Sequence, residues 1–314
     1  MPKSYTFFRL PKGEGMSAGA GALTFIKPPE KPRANILLVG PPKSGKTIGA
    51  ASAPPGVLFL NFDLPNASRQ AHLRHPDGSI MEPKIPEFVE GSRPLFAFMM
   101  TVMKEVQKPD QTMISTVVVD KVDELYRRLL EEFSNRSVRP SLPTYGEVSV
   151  QVERFIRALC TVPTVNTVIV CTDMVMQNGD ETIFIPFTGT KAGSADLGAK
   201  LASMVDILAY TVLVESDGGD KQSLAQLIPL KGRNGGDRFD CLGNWRPLDI
   251  SEWLSTIEAH ERGEEVKRFD QQQESANVGT NGQEPEADSR PDTTSVTAQE
   301  HNKRTAARSR RRAA

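Results

Sequence analysis

The feature that most limits what this chain can fold into is the run Gly40-Pro41-Pro42-Lys43-Ser44-Gly45-Lys46-Thr47. It follows a short apolar stretch, NILLV at residues 35–39, and precedes a segment with helical character that Pro54, Pro55 and Gly56 must end. A short, largely apolar run closed by glycine reads as a strand buried on both faces, the kind found in parallel sheets covered by helices. Strand, glycine-rich loop and helix in that order set the opening unit of an α/β fold.

The run fits the pattern G-x-x-x-x-G-K-[ST] in full. Gly40 and Gly45 let the backbone turn so that successive N–H groups point at phosphate oxygens. Lys46 reaches the outer phosphates as a point charge, and Thr47 offers a hydroxyl to Mg²⁺, a hard cation that takes oxygen ligands. The competing reading, a glycine turn with a surface lysine, is disfavoured by the strand before the loop and the helix after it. Nucleotide binding with Mg²⁺, and ATP as the ligand, are the expectations.

Downstream, strands and helices alternate. Residues 56–62 and the β-branched run STVVV at 115–119 read as strands closing on Asp63 and Asp120, and NTVIVCT at 166–172 as another. Residues 94–106, 123–134 and 145–159 read as helices, the last two with apolar stripes at helical spacing. Residues 206–214 and 223–231 read as further strands. The turn-like clusters NGDE (178–181) and SDGGD (216–220) suggest hairpins. Residues 64–94 are polar, with scattered Pro and His, and read as a long loop in which His72 and His75 are solvated. The expected fold class is α/β: a mostly parallel sheet flanked by helices, with antiparallel edge strands.

Composition sets the outer parts. Residues 1–33 are rich in Gly, Pro and Lys and read as a flexible arm. Residues 34–260 hold the folded domain. Residues 261–314 lose their apolar content and end in RTAARSRRRAA, a disordered tail with a basic end at residues 304–312. The three cysteines (Cys160, Cys171, Cys241) form no C-x-x-C pair, which suits a reduced, cytoplasmic setting. No leader pattern and no long apolar run point to a membrane. The net charge of −1 excludes a globally basic nucleic-acid binder, so any such contact must be local.

Asp120 at the end of VVVD has the placement of a carboxylate that holds Mg²⁺ from the side opposite Thr47. An ordinary turn aspartate is the alternative. Asp63 is either a turn residue or an acid placed to polarise an attacking water. Asp123 and Glu124 read as first-turn helix acids favoured by the dipole; the alternative is that one of them supports the metal site or acts as a catalytic acid.

With GPPKSGKT, strand-end Asp63, VVVDKVDELYRRL, NTVIVCTD and the late PLKGRN, residues 33–258 resemble RecA-like P-loop ATPases, in particular phage-encoded recombinases and single-strand annealing proteins. The resemblance implies phosphate binding by Lys46 and Thr47, Mg²⁺ held by Thr47 and Asp120, and Asp63 in the place of a catalytic glutamate. Asp173 falls at the γ-phosphate sensor position, where Gln or His is usual. Lys121 replaces the small hydroxyl residue common after the metal-binding aspartate. Lys231 and Arg233 match a K-x-R pair that reaches a neighbouring subunit's γ-phosphate, which implies a ring or filament of identical chains; the alternative is a solvated basic turn. The glycine-rich segment 189–200, with Lys191 and Lys200, would be a loop lying along single-stranded DNA, joined by the basic tail. The implied function is an Mg²⁺-dependent ATPase acting on single-stranded DNA in phage recombination or annealing. The alternative is a nucleotide-gated assembly or partner-binding module with little hydrolysis. A nucleotide kinase is disfavoured, because no Arg-rich lid or acceptor pattern is evident.

Overall fold

The computed structural model describes residues 33–266, apart from 65–67, 76–79, 109, 179–180, 190, 216–220 and 231. The 1–33 arm, except its last residue, and the tail beyond 266 with its basic end therefore lie outside the described residues. So do Lys231 and the two hairpin turns.

Six strands form the parallel centre of the sheet: β1 (Asn35–Gly40), β2 (Val57–Asn61), β3 (Ile80–Met81), β4 (Thr116–Asp120), β5 (Asn166–Asn178) and β7 (Ile207–Glu215). Their order across the sheet is β7-β1-β5-β4-β2-β3. The strand bearing the glycine-rich loop and the strand bearing Asp120 are thus separated by one additional strand, β5. In register, Gly40 lies beside Thr172, Asp120 beside Val170 and Asn61 beside Asp120. One edge is antiparallel: β8 (Lys221–Gln226) pairs with β7, and β10 (Trp245–Pro247) pairs with β8. β6 (Glu181–Phe187) pairs antiparallel with the outer half of β5, and β9 (Gly236–Asp237) pairs with β7. The expected mixed sheet with antiparallel edge strands is what forms.

Both faces of the central strands are buried, so alternate residues enter two different cores. Leu37, Val39, Leu60, Val117 and Val119 pack against one layer of helices: α3 (Pro94–Val106), α4 (Val122–Phe133), α5 (Leu142–Cys160) and α6 (Lys191–Met204). Ile36, Leu38, Phe59, Val118 and Val168 pack on the other face against α1 (Lys46–Ala50) and α7 (Ile250–Glu261), the latter through Ile250, Trp253 and Ile257. Helix starts are specified locally where the chain allows it. Ser141 Oγ accepts from Thr144 N at 3.4 Å and Asp249 Oδ1 from Glu252 N at 3.2 Å. For α3 the cap comes from elsewhere: the buried Glu132 carboxylate of α4 accepts from Leu95 N (2.6 Å) and Phe96 N (3.2 Å).

Several expectations are corrected. Residues 64–94 are not one loop: they contain α2 (Arg69–Arg74) and β3. The His72 side chain is 47% exposed but is not in a loop, and His75 is half-buried at the end of α2. His72 lies on α2 and pairs with Glu82, and His75 Nε2 bonds Ala51 O at 2.6 Å. Most of segment 189–200 is α6 rather than a loop, because Leu197 and Leu201 are buried one turn apart against the sheet and give the segment a helical face. β5 runs on to Asn178, since its outer half is held by β6, while β8 ends at Gln226, short of residue 231. All three cysteines are buried and free. Among the described residues, no helix is long and apolar enough to cross a membrane.

Candidate functional site

The glycine-rich loop is clamped by the antiparallel edge. A Cβ on Gly40 would lie 2.4 Å from Thr211 Oγ1, and one on Gly45 would lie 2.1 Å from Ser223 Oγ. Gly45 also has φ 88°, a left-handed conformation that side chains with a Cβ resist. Ser44 Oγ and Thr211 Oγ1 are 2.6 Å apart, and Thr211 Oγ1 donates to Val39 O at 3.2 Å. Ser44 therefore donates to Thr211, which leaves its own oxygen free to accept from Lys46 Nζ at 3.3 Å. Pro41, Pro42 and Lys43 form the exposed crest of the loop, and Lys43 has φ 67°. α1 is only five residues long, so the site's polarity rests on the loop's own N–H groups more than on a helix dipole.

Lys46 is 7% exposed, and its ammonium also donates to Gly40 O at 2.7 Å and Pro41 O at 2.6 Å. Burial lowers its pKa to about 8, opposed by the negative charge of Asp173 and Asp120. Asp120 is 1% exposed at the C-terminal end of β4. Burial pushes its pKa up to about 6, against a hydrogen bond from Thr47 that favours the carboxylate. Its Oδ2 has no hydrogen-bond partner. A buried carboxylate oxygen without a donor, beside a threonine hydroxyl, suits a divalent cation with oxygen ligands. Among the described residues no group of three or more His, Cys, Asp or Glu could hold a metal. Phosphate and water oxygens would therefore have to complete a Mg²⁺ shell begun by Thr47 and Asp120.

These groups meet in a cavity of about 490 Å³ whose lining includes Lys46, Thr47, Asp63, Asp120, Lys121 and Thr172. Asp63 stands two residues beyond the end of β2. Its backbone is fixed by Asn61 Oδ1, which accepts from Asp63 N at 3.1 Å, and by Arg128 Nη2, which donates to Asp63 O at 3.4 Å. Its carboxylate faces Lys121: Nζ is 3.8 Å from Asp63 Oδ2 and 3.5 Å from Asp123 Oδ2. Burial acts to lower the Lys121 pKa, but Asp123 and Asp63 outweigh it, so the ammonium stays charged. Asp123 is more than a first-turn helix acid, because it is buried and paired with Lys121.

A family model described as an AAA domain matches residues 33–239, well over half of the chain. The chain belongs to the AAA domain family. No curated protein matches it. The AAA domain is a P-loop, ATPase-like nucleotide-binding unit, and the matched span holds all the residues that line the cavity and the strands β7 and β8 that brace its loop.

Gly40, Pro41 and Ser44 belong to the loop but do not line the cavity, and Asp173 and Arg233, sequence-predicted site residues of this AAA domain, stand apart from it. Val170 and Thr172 line it from β5, whereas Asp173 is not among its lining residues, since neighbouring residues of a strand face opposite ways. The Asp173 carboxylate accepts the Tyr210 hydroxyl hydrogen instead. Arg233 lies over two rings of its own chain, 4.7 Å from the centroid of Tyr210 and 4.8 Å from that of Phe184. It sits beside isolated bridges to Phe184 and Leu230, not in a strand where residues 231 and 233 would share a face. Lys200, expected to face DNA, is paired with Asp196 at 2.8 Å and Glu153 at 3.3 Å. Sequence reasoning missed Thr211, Ser223 and Tyr210. They lie in strands far from any motif, and only the pairing of β7 with β1 and β8 brings Thr211 and Ser223 to the loop and Tyr210 to Asp173.

Proposed function

We propose that this AAA domain binds Mg²⁺–ATP in the cavity and hydrolyses it to ADP and phosphate. The observation that carries the reading is the convergence of Lys46, Thr47 and the partnerless Oδ2 of buried Asp120 on one cavity. A water oxygen attacks the γ-phosphorus, and the bond from that phosphorus to the β,γ-bridging oxygen breaks. ADP leaves, and Asp63 takes the water proton. Lys46 leaves its loop carbonyls for the outer phosphates and stabilises the charge that spreads over their oxygens. Thr47 and Asp120 would hold Mg²⁺, which would supply further charge neutralisation at the phosphates. Asp173 acts from behind, through its field on Lys46.

The finer reading is an oligomeric ATPase, a ring or filament, acting on single-stranded DNA in phage recombination or annealing in the cytoplasm. Its supports are the resemblance of residues 33–258 to RecA-like proteins, the K-x-R pair Lys231/Arg233 and the basic end at residues 304–312. In such an assembly Lys231 and Arg233 reach the neighbour's γ-phosphate, and for Arg233 that means leaving the Phe184 and Tyr210 rings. The test is ATP turnover with and without single-stranded DNA across a salt series, together with particle mass in ATP. DNA-stimulated turnover and a mass several times that of one chain are expected. If DNA neither binds nor alters turnover, the DNA part fails.

A second reading has its own support in the Lys121–Asp63 pair, which occupies the acid that hydrolysis needs. In it, ATP gates assembly or partner binding with little turnover. A wild-type protein that assembles in ATP but turns over no faster than Lys46→Ala favours this reading over the enzyme.

A further inference from the structure

We infer that Lys121 is a triphosphate-sensing residue: its ammonium exchanges the Asp63 carboxylate for the terminal phosphate of the bound nucleotide, so the site distinguishes nucleoside triphosphate from diphosphate within one chain. This rests on the cavity being a nucleotide site and adds a role that neither the P-loop nor the Mg²⁺ pair supplies.

Position along the sheet comes first. The phosphate loop follows β1, and Lys121 follows β4, two strands away across β5. Strand spacing puts these two strand ends roughly 10 Å apart. A loop that cradles the inner phosphates leaves only the outermost one within reach of an ammonium coming back from β4 on its four-carbon stem. Asp63, at the end of β2, lies on the far side of Lys121 from the loop.

Geometry and charge come next. Lys121 holds its two carboxylates unequally, with Asp123 Oδ2 at 3.5 Å and Asp63 Oδ2 at 3.8 Å. Both contacts are longer than a good hydrogen bond, but the Asp63 one is the longer and its carboxylate the more exposed, so it is the one more readily given up. Asp123 is buried and anchored in the first turn of α4, and it keeps the root of the interaction in place. A terminal phosphate carries more negative charge than one carboxylate and would draw the ammonium forward. Lys46 serves the outer phosphates from the loop after β1, where it bonds Gly40 O and Pro41 O, so Lys121 is the cation that comes to the terminal phosphate from the β4 side. Once Lys121 has moved, Asp63 loses its counter-ion at the moment a γ-phosphate is present. The two readings above then become two states of one pair: Asp63 is held while the site lacks a terminal phosphate and released when one arrives.

The test is calorimetric titration of the full chain, in Mg²⁺, with ADP and with an ATP analogue whose β,γ-bridging oxygen is replaced by NH. The proteins are wild type, Lys121→Met, which keeps the apolar stem, and Lys121→Arg, which keeps the charge. Wild type should prefer the triphosphate. Lys121→Met should lose about tenfold or more in triphosphate affinity, the size of one charge-assisted contact. Its ADP affinity should change less than about twofold. Lys121→Arg should retain most of the preference. The inference is overturned if Lys121→Met weakens both nucleotides equally, if it keeps the wild-type preference, or if wild type binds both equally. Lys121→Gln serves the same comparison should the methionine variant not unfold cooperatively. Wild type that binds neither nucleotide refutes the nucleotide site itself, a separate failure.

Discussion

Lys46 is the residue whose surroundings most directly predict behaviour in solution. Its lowered pKa, about 8, means that burial costs the ammonium more than the nearby carboxylates return. A phosphate beside it would raise that value, so binding takes up a proton above pH 8. Affinity should therefore be full below about pH 8 and fall as pH rises, by about tenfold between about pH 7 and about pH 9. Lys46→Ala should flatten this dependence while weakening binding, which titrations of nucleotide at each pH would show. Gly45 makes a second prediction at this scale. With φ 88° and a Cβ position 2.1 Å from Ser223 Oγ, Gly45→Ala must strain the loop or displace β8. A loss of about 1–3 kcal/mol in stability is expected, read from denaturant unfolding. A substitution without measurable cost would mean the loop is not clamped by the edge strands.

At the scale of elements, much was legible. The runs at residues 35–39 and 115–119 read as buried strands because both their faces are covered, and NGDE and SDGGD lie between strands that do pair as hairpins, β5 with β6 and β7 with β8. The loop, Asp120 and Asp63 could be placed from spacing alone because each sits at or just past a strand end. What was hidden depends on contacts distant in sequence. Nothing local says that Thr211 and Ser223 brace the loop, or that Lys121 faces both Asp63 and Asp123. Segment 189–200 misled because its glycines outweighed Leu197 and Leu201, whose burial decides for helix. The capping of α3 by Glu132 was equally invisible, since its donors, Leu95 N and Phe96 N, belong to a different helix. Glu132→Ala should leave both without a partner and cost about 1–3 kcal/mol, measurable by thermal or denaturant unfolding, with nucleotide affinity left near wild type.

For the whole molecule, the family match and both cores fall within residues 33–266. A chain ending at residue 266 should keep its unfolding midpoint and its nucleotide affinity. If the basic end at residues 304–312 supplies the DNA contact, this shortened chain should lose the salt-sensitive part of single-strand binding, as a salt series would show. Unchanged DNA binding would move the contact onto the domain. The account stands most heavily on one cavity that binds Mg²⁺–nucleotide through Lys46 and the Thr47–Asp120 pair. The most direct measurement is calorimetric titration of wild type, Lys46→Ala and Asp120→Asn with a non-hydrolysable ATP analogue, with and without Mg²⁺. Wild type should bind near one nucleotide per chain, Lys46→Ala should lose about tenfold to a hundredfold in affinity, and Asp120→Asn should lose most of the Mg²⁺ enhancement. Equal affinity in all three proteins, with no response to Mg²⁺, would contradict the account.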